Sequence, residues 1–405
     1  MDAVQPVAAM GLVRKLRLLA PVAAALALVP LAVRVHYPMD FGLAYHAGLL
    51  AWSSGHPEPL GTWTGTPFLA LVMAAITQVA SLEAATPLML AANLVVWGGL
   101  LLAVWYRLQD LVPSRWWWST LAAAAVFAPA ISNMFWMQPN LIMLALALGG
   151  AALTGRRNLA AGLLIGAALA LKPILVLLPF AFLLHRASRR AGAWAIAVAA
   201  ALSAIGLGFL AWRAGDLSVV NPIAYLAQFL TKGRGPDYAC VPENYSPLAL
   251  LCRFGVPAST TLTVAVAGAV LVAGWLVTRR VRDAPDARWE LFAAAGLLSP
   301  MLGPIGWAVY QVLLAPLMLL LAYQFWTDRA PVFLWLNLGG VFLLTMLIWD
   351  PLESLALVPV PVLVVSYTLG QFAQYYLLLL WVQWTRMRSA KSANTARTEM
   401  GTQAG

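Results

Sequence analysis

Apolar runs recur along nearly the whole chain, near 18–34, 66–81, 86–106, 116–131, 139–154, 158–185, 191–212, 258–278, 290–324, 331–348 and 354–384. A helix that crosses a bilayer needs about 20 apolar residues, whereas runs of about 10–14 are more typical of re-entrant or half-helices. The runs are spread too evenly for one anchor attached to a soluble domain. The pattern predicts an all-α polytopic membrane protein with about ten to twelve membrane segments, some of them short and broken.

Two runs are interrupted. The stretch "NLAAGLLIGAALALKPILVLLPFAFLLHR" breaks at Lys172-Pro173 into two pieces of the shorter kind, and basic groups "GRR" (155–157) and "HRASRR" (185–190) flank both sides. Either two short helices meet at Lys172 and return to one face, or a single kinked span crosses. A similar break falls at "SNMFWMQPN" (132–140). Between the runs, two polar stretches are long enough to hold a site: about 35–65, with Asp40, His46, His56 and Glu58, and about 213–257. Loops of this length are usually functional or disordered. Their aromatic, proline and apolar content argues for order, as short helices lying at the interface.

The first run follows Arg14, Lys15 and Arg17, as in a signal peptide, but "LAVRVHYP" offers no small-residue cleavage site. It reads as an uncleaved first helix with its basic flank in the cytoplasm, which puts Asp40 on the outer side. Residues 1–385 then form one membrane domain, and the basic, polar segment 386–405 is expected as a disordered cytoplasmic tail. Composition agrees: 62% of residues are hydrophobic, only 10% are charged, and the mean hydropathy is +0.81. Soluble domains carry about 25% charged residues. The net charge of +10 sits mainly in short segments between apolar runs. It fits positive-inside bias and anionic lipid, not nucleic acid. No internal repeat supports an inverted-repeat transporter.

In a chain this poor in acid, Asp40 stands out. A carboxylate at a membrane boundary needs a partner or a water cavity, and one near the outer headgroups could take a proton from a hydroxyl of a lipid-borne substrate. Helical spacing brings Tyr45 or His46 only roughly onto a neighbouring face. Lys172 has the same problem inside its apolar run, and a phosphate in a cavity there would answer it; snorkelling to a headgroup is the alternative. Gln138 and Asn140, and Glu243, Asn244 and Tyr245 in "CVPENYSP", suit a hydroxyl-rich ligand, although turn and N-cap chemistry explains "ENYSP" equally well. In "SPMLGPIGWAVYQVLLAP" an aromatic belt accounts for Trp307 and Tyr310 but fits Gln311 less well. Arg253 and Arg213 are further cations near the second loop. Cys240 and Cys252 are the only cysteines; a disulfide between them or two separate thiols are both open. No zinc spacing, nucleotide loop or nucleophile elbow appears. A lone aspartate is thin provision for a metal, so neither metal nor cofactor is expected.

Taken in order, "MDFGLAYHAG", "WMQPN", "ALKPILVLLPF", "ENYSPLALLCR" and "LLSPMLGPIGWAVYQVLLAP" resemble the GT-C glycosyltransferases of family 87, which includes polyprenol-phosphate mannosyltransferases and arabinofuranosyltransferases. The resemblance runs from about residue 12 to 385. It implies an inverting transfer from a polyprenyl-phosphate sugar to a glycolipid or glycan acceptor, at a site on the outer (periplasmic) side of the cell membrane. It also implies that Asp40 is the base, that Lys172 is the cation of the "KP" step, and that Tyr310 and Gln311 are the polar pair after the "SP" motif. Histidines expected near Tyr310 in the mannosyl branch are absent, and "TGTPF" (64–68) replaces an expected "YPP". The tyrosine–glutamine pair looks closer to the arabinofuranosyl branch. The rival from another class is a lipid or solute transporter, which would also use buried Lys and Asp. The long, acid-bearing outer loops favour surface chemistry over alternating access.

Overall fold

The computed structural model describes residues 39–57, 65–108, 127–216, 240–241, 244–257, 259–281, 287–302, 306–347 and 359–403. Every regular element among them is helical. In chain order they are α1 (Met39–Ser54), α2 (Pro67–Val79), α3 (Leu82–Leu108), α4 (Ala128–Phe135), α5 (Asn140–Leu153), α6 (Asn158–Leu171), α7 (Leu177–Leu184) and α8 (Arg189–Ala214). Then come α9 (Pro247–Arg253), α10 (Thr260–Val281), α11 (Ala287–Leu298), α12 (Ala315–Thr327), α13 (Val332–Thr345) and α14 (Val360–Gln403). Two 3₁₀ segments, Ser299–Met301 and Ala308–Leu314, join α11 to α12.

Among the described residues, four helical stretches are long and apolar enough to cross a membrane: Leu82–Tyr106, Arg189–Ala214, Thr261–Arg279 and Val309–Thr327. Four shorter apolar helices, α2, α5, α6 and α13, stand beside them. Long lengths mixed with half-lengths are what the interrupted runs predict. The fold is that of a polytopic all-α membrane protein. Its last helix runs on to Gln403, past residue 385 where the sequence places a tail. Residues 386–400 contain neither proline nor glycine, so nothing stops a helix already begun from propagating.

The Lys172-Pro173 break is a reversal. A β-carbon placed on Gly162 would meet Trp194 and Ala195, and one on Gly166 would meet Ala195 and Val198. The contacts ascend together along both chains, so α6 and α8 lie side by side and parallel. The chain must therefore turn back between them, and α7 carries it: Gly192, in the first turn of α8, abuts Pro179, Phe182 and Leu183. Arg156 and Arg157 consequently share one end of the molecule with Arg189 and Arg190. The small residues permit this approach, because any larger side chain at these glycines would hold the helices apart.

The reversal frees backbone groups that must find partners. Thr66, the N-cap of α2, accepts from Leu69 N at 3.0 Å. Its hydroxyl donates to the carbonyls of Ala170 and Leu171 at the end of α6. Leu177 N, opening α7, donates to Ser299 Oγ at 3.0 Å. Thr66 belongs to the "TGTPF" stretch, so that element secures the break that carries Lys172.

Candidate functional site

Four of the residues singled out from the sequence meet at one point. Asp40 lies in the first turn of α1, Gln138 in the turn between α4 and α5, Lys172 at the C-cap of α6, and Tyr310 in the Ala308–Leu314 3₁₀ segment. Gln138 joins the two charges. Its Nε2 donates to Asp40 Oδ2, while its Oε1 accepts from Lys172 Nζ at 2.6 Å. The ammonium also stands 4.7 Å from the centre of the Tyr310 ring, a cation–π contact that favours the charged amine. Among the described residues no direct ion pair joins Asp40 to Lys172, yet each lies within reach of the other's charge. Burial raises Asp40 above the usual carboxylate range, with the Lys172 charge and the Gln138 hydrogen bond pulling the other way.

The local backbone explains how Gln138 gets there. Helix α4 ends in a Schellman turn: Gln138 N donates to Asn133 O at 2.9 Å and Met137 N to Met134 O at 3.2 Å. The left-handed position of that turn, usually glycine, is Met137 with φ +51°. Pro139 then starts α5. Asn133, which the sequence reading passed over, supports the same corner. Its Nδ2 donates to Pro129 O and Val309 O, both at 2.7 Å, and its Oδ1 accepts from Asn140 Nδ2 at 2.8 Å. Asn140 is thus a framework residue that fixes the segment carrying Tyr310. The available signal was an amide placed inside an apolar stretch, "APAISNMF".

The other expected site residues that the structure describes have different surroundings. Tyr45 turns away to donate to Ala80 O at 2.8 Å, and His46 is exposed. Gln311 is wholly buried, and neither side-chain amide atom has a hydrogen-bond partner. Glu243 falls outside the described residues. Asn244, Tyr245 and Arg253 build a second cluster. Asn244 Oδ1 accepts from Gly306 N at 2.8 Å and Ser246 N at 3.0 Å. Tyr245 N donates to Gly306 O at 2.5 Å. Arg253 donates to Asn244 O and Gln371 Oε1, both at 2.8 Å, and to Thr368 Oγ1 at 3.3 Å. Cys240 and Cys252 form a disulfide across the same loop. Arg213 donates to Trp52 O and stacks on Trp52 and Trp212. The second cluster ties Gly306, four residues before Tyr310, to α9 and α14. Among the described residues no group of three or more His, Cys, Asp or Glu could hold a metal.

A model of glycosyltransferase family 87 matches residues 63–304, well over half of the chain. The chain belongs to glycosyltransferase family 87. No curated protein and no solved structure matches it. As a glycosyltransferase it uses a sugar donor and an acceptor, and its apolar helices make it a membrane protein. The matched stretch contains Gln138 and Lys172 but begins after Asp40 and ends before Tyr310. Those two enter the site by geometry, through Gln138 and Lys172 respectively.

Proposed function

We propose that this glycosyltransferase transfers a sugar from a polyprenyl-phosphate donor to a hydroxyl of a lipid- or glycan-borne acceptor, with inversion, on the outer face of the membrane. The observation that carries it is the placement of Asp40 and Lys172 at the two ends of the Gln138 amide. Breaking the bond between the anomeric carbon and phosphate leaves its electron pair on a phosphate monoester, so a fixed cation at the leaving oxygen lowers the barrier. Lys172 supplies it. The acceptor oxygen attacks the anomeric carbon from the opposite face as its proton passes to Asp40, and one displacement inverts the centre. Tyr310 backs the ammonium with its ring.

Depth supports the outer side. Arg156, Arg157, Arg189 and Arg190 share one end, which positive-inside bias assigns to the cytoplasm. Gly206 of α8 abuts Pro67 and Phe68, next to Thr66 and hence to the break at Lys172. That level is 17 residues, or about 26 Å, from Arg189 along α8. The reacting groups therefore lie toward the far headgroups, within reach of a lipid-borne phosphate. The sugar is arabinofuranose or mannose; "GWAVYQ" without nearby histidine favours the former.

The test is to incubate purified protein with radiolabelled polyprenyl-phosphate arabinofuranose and polyprenyl-phosphate mannose separately, with envelope glycan or glycolipid as acceptor. Transfer from either, with inverted linkage in the product, is expected. Transfer only from a nucleotide sugar would defeat the proposal.

A further inference from the structure

We propose, on the reading of Asp40 as base and Lys172 as phosphate clamp, that Gln138 is a spacer: its amide holds the two charges as a separated pair and keeps them from closing into a direct ion pair. The amide has one orientation that works. A carboxylate needs a donor and an ammonium an acceptor, and Gln138 presents Nε2 to Asp40 and Oε1 to Lys172. The side chain is buried and rooted in a turn whose left-handed residue is a methionine. A backbone cost of that kind persists only where the surroundings over-determine it. Asn133 holds the same turn to the Tyr310 segment.

The gap has a chemical use. Two hydrogen bonds and the width of an amide let the carboxylate and the ammonium stand up to roughly 7 Å apart. Inverting glycoside hydrolases separate their two carboxyl groups by roughly 6.5–9.5 Å, because the attacking oxygen and the reacting carbon must fit between them. A single displacement here has the same need, with base on one side of the anomeric carbon and phosphate on the other. A closed ion pair leaves no room and ties up both groups. In a site of low dielectric the two charges attract strongly, so something must stand between them whenever substrate does not. Among the described residues the other groups near Asp40 do not do this: Tyr310 lies against Lys172, Tyr45 is bonded to Ala80, and His46 is exposed.

The experiment reads the resting full-length protein in lipid nanodiscs, without substrate. The Asp40 carboxyl band, identified by its loss in Asp40→Asn, is titrated by infrared spectroscopy in wild type, Gln138→Leu and Gln138→Leu/Lys172→Met. Losing the amide as a hydrogen-bond donor would by itself raise the midpoint, whereas closure onto Lys172 lowers it. A fall of at least one pH unit in Gln138→Leu, reversed to above wild type by Lys172→Met, is the expected result. A midpoint at or above wild type in Gln138→Leu shows that Gln138 only decorates Asp40 and overturns the spacer. Gln138→Met, unbranched and likewise lacking the donor, serves if the leucine variant fails to fold. Parallel transfer assays should show kcat/KM for the donor reduced at least 100-fold, with KM raised because the closed pair occupies Lys172. If wild type transfers no sugar from polyprenyl phosphate but the midpoints move as expected, the donor reading fails and the spacer stands. If wild type transfers and the midpoint does not fall, the spacer alone fails.

Discussion

Replacing Asp40 by asparagine separates chemistry from folding, because the structure gives opposite expectations for the two. The amide oxygen of the introduced asparagine can still accept from Gln138 Nε2, so the turn between α4 and α5 keeps its partner. What disappears is the charge. Burial opposes the ionised Asp40 more than Lys172 and Gln138 together favour it, since its carboxyl lies above its ordinary value of 3.8. The sign follows by linkage. A carboxyl raised on folding contributes stability when protonated, below the unfolded value, and that contribution is lost as pH rises through the folded value. At neutral pH the ionised group is therefore no net asset to the fold. Neutral asparagine should leave the unfolding midpoint within about 1 °C of wild type, a change below ~1 kcal/mol.

Turnover should behave differently. A positioned general base contributes roughly 10²–10⁴-fold, and asparagine cannot take the acceptor proton. Transfer of radiolabelled sugar from polyprenyl phosphate should fall by about that factor, while donor binding, which rests on Lys172, changes little. Thermal unfolding in the same detergent provides the control. Transfer within tenfold of wild type would remove Asp40 from the reaction, and a collapse of the unfolding midpoint would refute the electrostatic reasoning.

The raised Asp40 carboxyl predicts that the acid limb of the kcat/KM–pH profile lies above the range of an exposed carboxylate; a limb at or below 3.8 contradicts it. Arg157→Cys and Arg190→Cys, on the adjacent starts of α6 and α8, should be labelled by a membrane-impermeant maleimide from the same face. Labelling from opposite faces would mean that α7 crosses instead of returning. Gly206→Ala pushes a β-carbon to 2.5 Å from the Pro67 carbonyl carbon and 2.6 Å from Phe68 N. Overpacking of this kind costs about 1–3 kcal/mol, and it displaces Thr66 from the Lys172 break, so stability and transfer should drop together. Gly208→Ala points into open space and should change neither; equal losses in both variants would show that the close approach of α2 to α8 is not the cause.

The helical membrane class follows from hydropathy because a bilayer leaves few alternatives for an apolar chain. The individual members of the site were legible for the same reason: Asp40, Lys172 and Gln138 are costly where they stand, so each asks for a partner. Their mutual arrangement was not legible, because it depends on geometry that the residue types do not announce. Lys172-Pro173 reads equally as a kink or a reversal until Gly162 and Gly166 fix the direction of α8 against α6. Gln138 reads as one more sugar-binding amide until the left-handed Met137, a residue seldom found there, aims it between two charges. Asn244 offered the same donors and acceptors, and its side chain pins Gly306, together with the backbone N–H of Tyr245. That use still serves the site. Gly306 starts the stretch that delivers Tyr310 to Lys172, and Asn133 holds Val309 in the middle of it. An amide that binds sugar and an amide that fastens backbone satisfy the same hydrogen-bonding demand, so only the partner tells them apart. Here the partner is a carboxylate and an ammonium for Gln138, and backbone for Asn244.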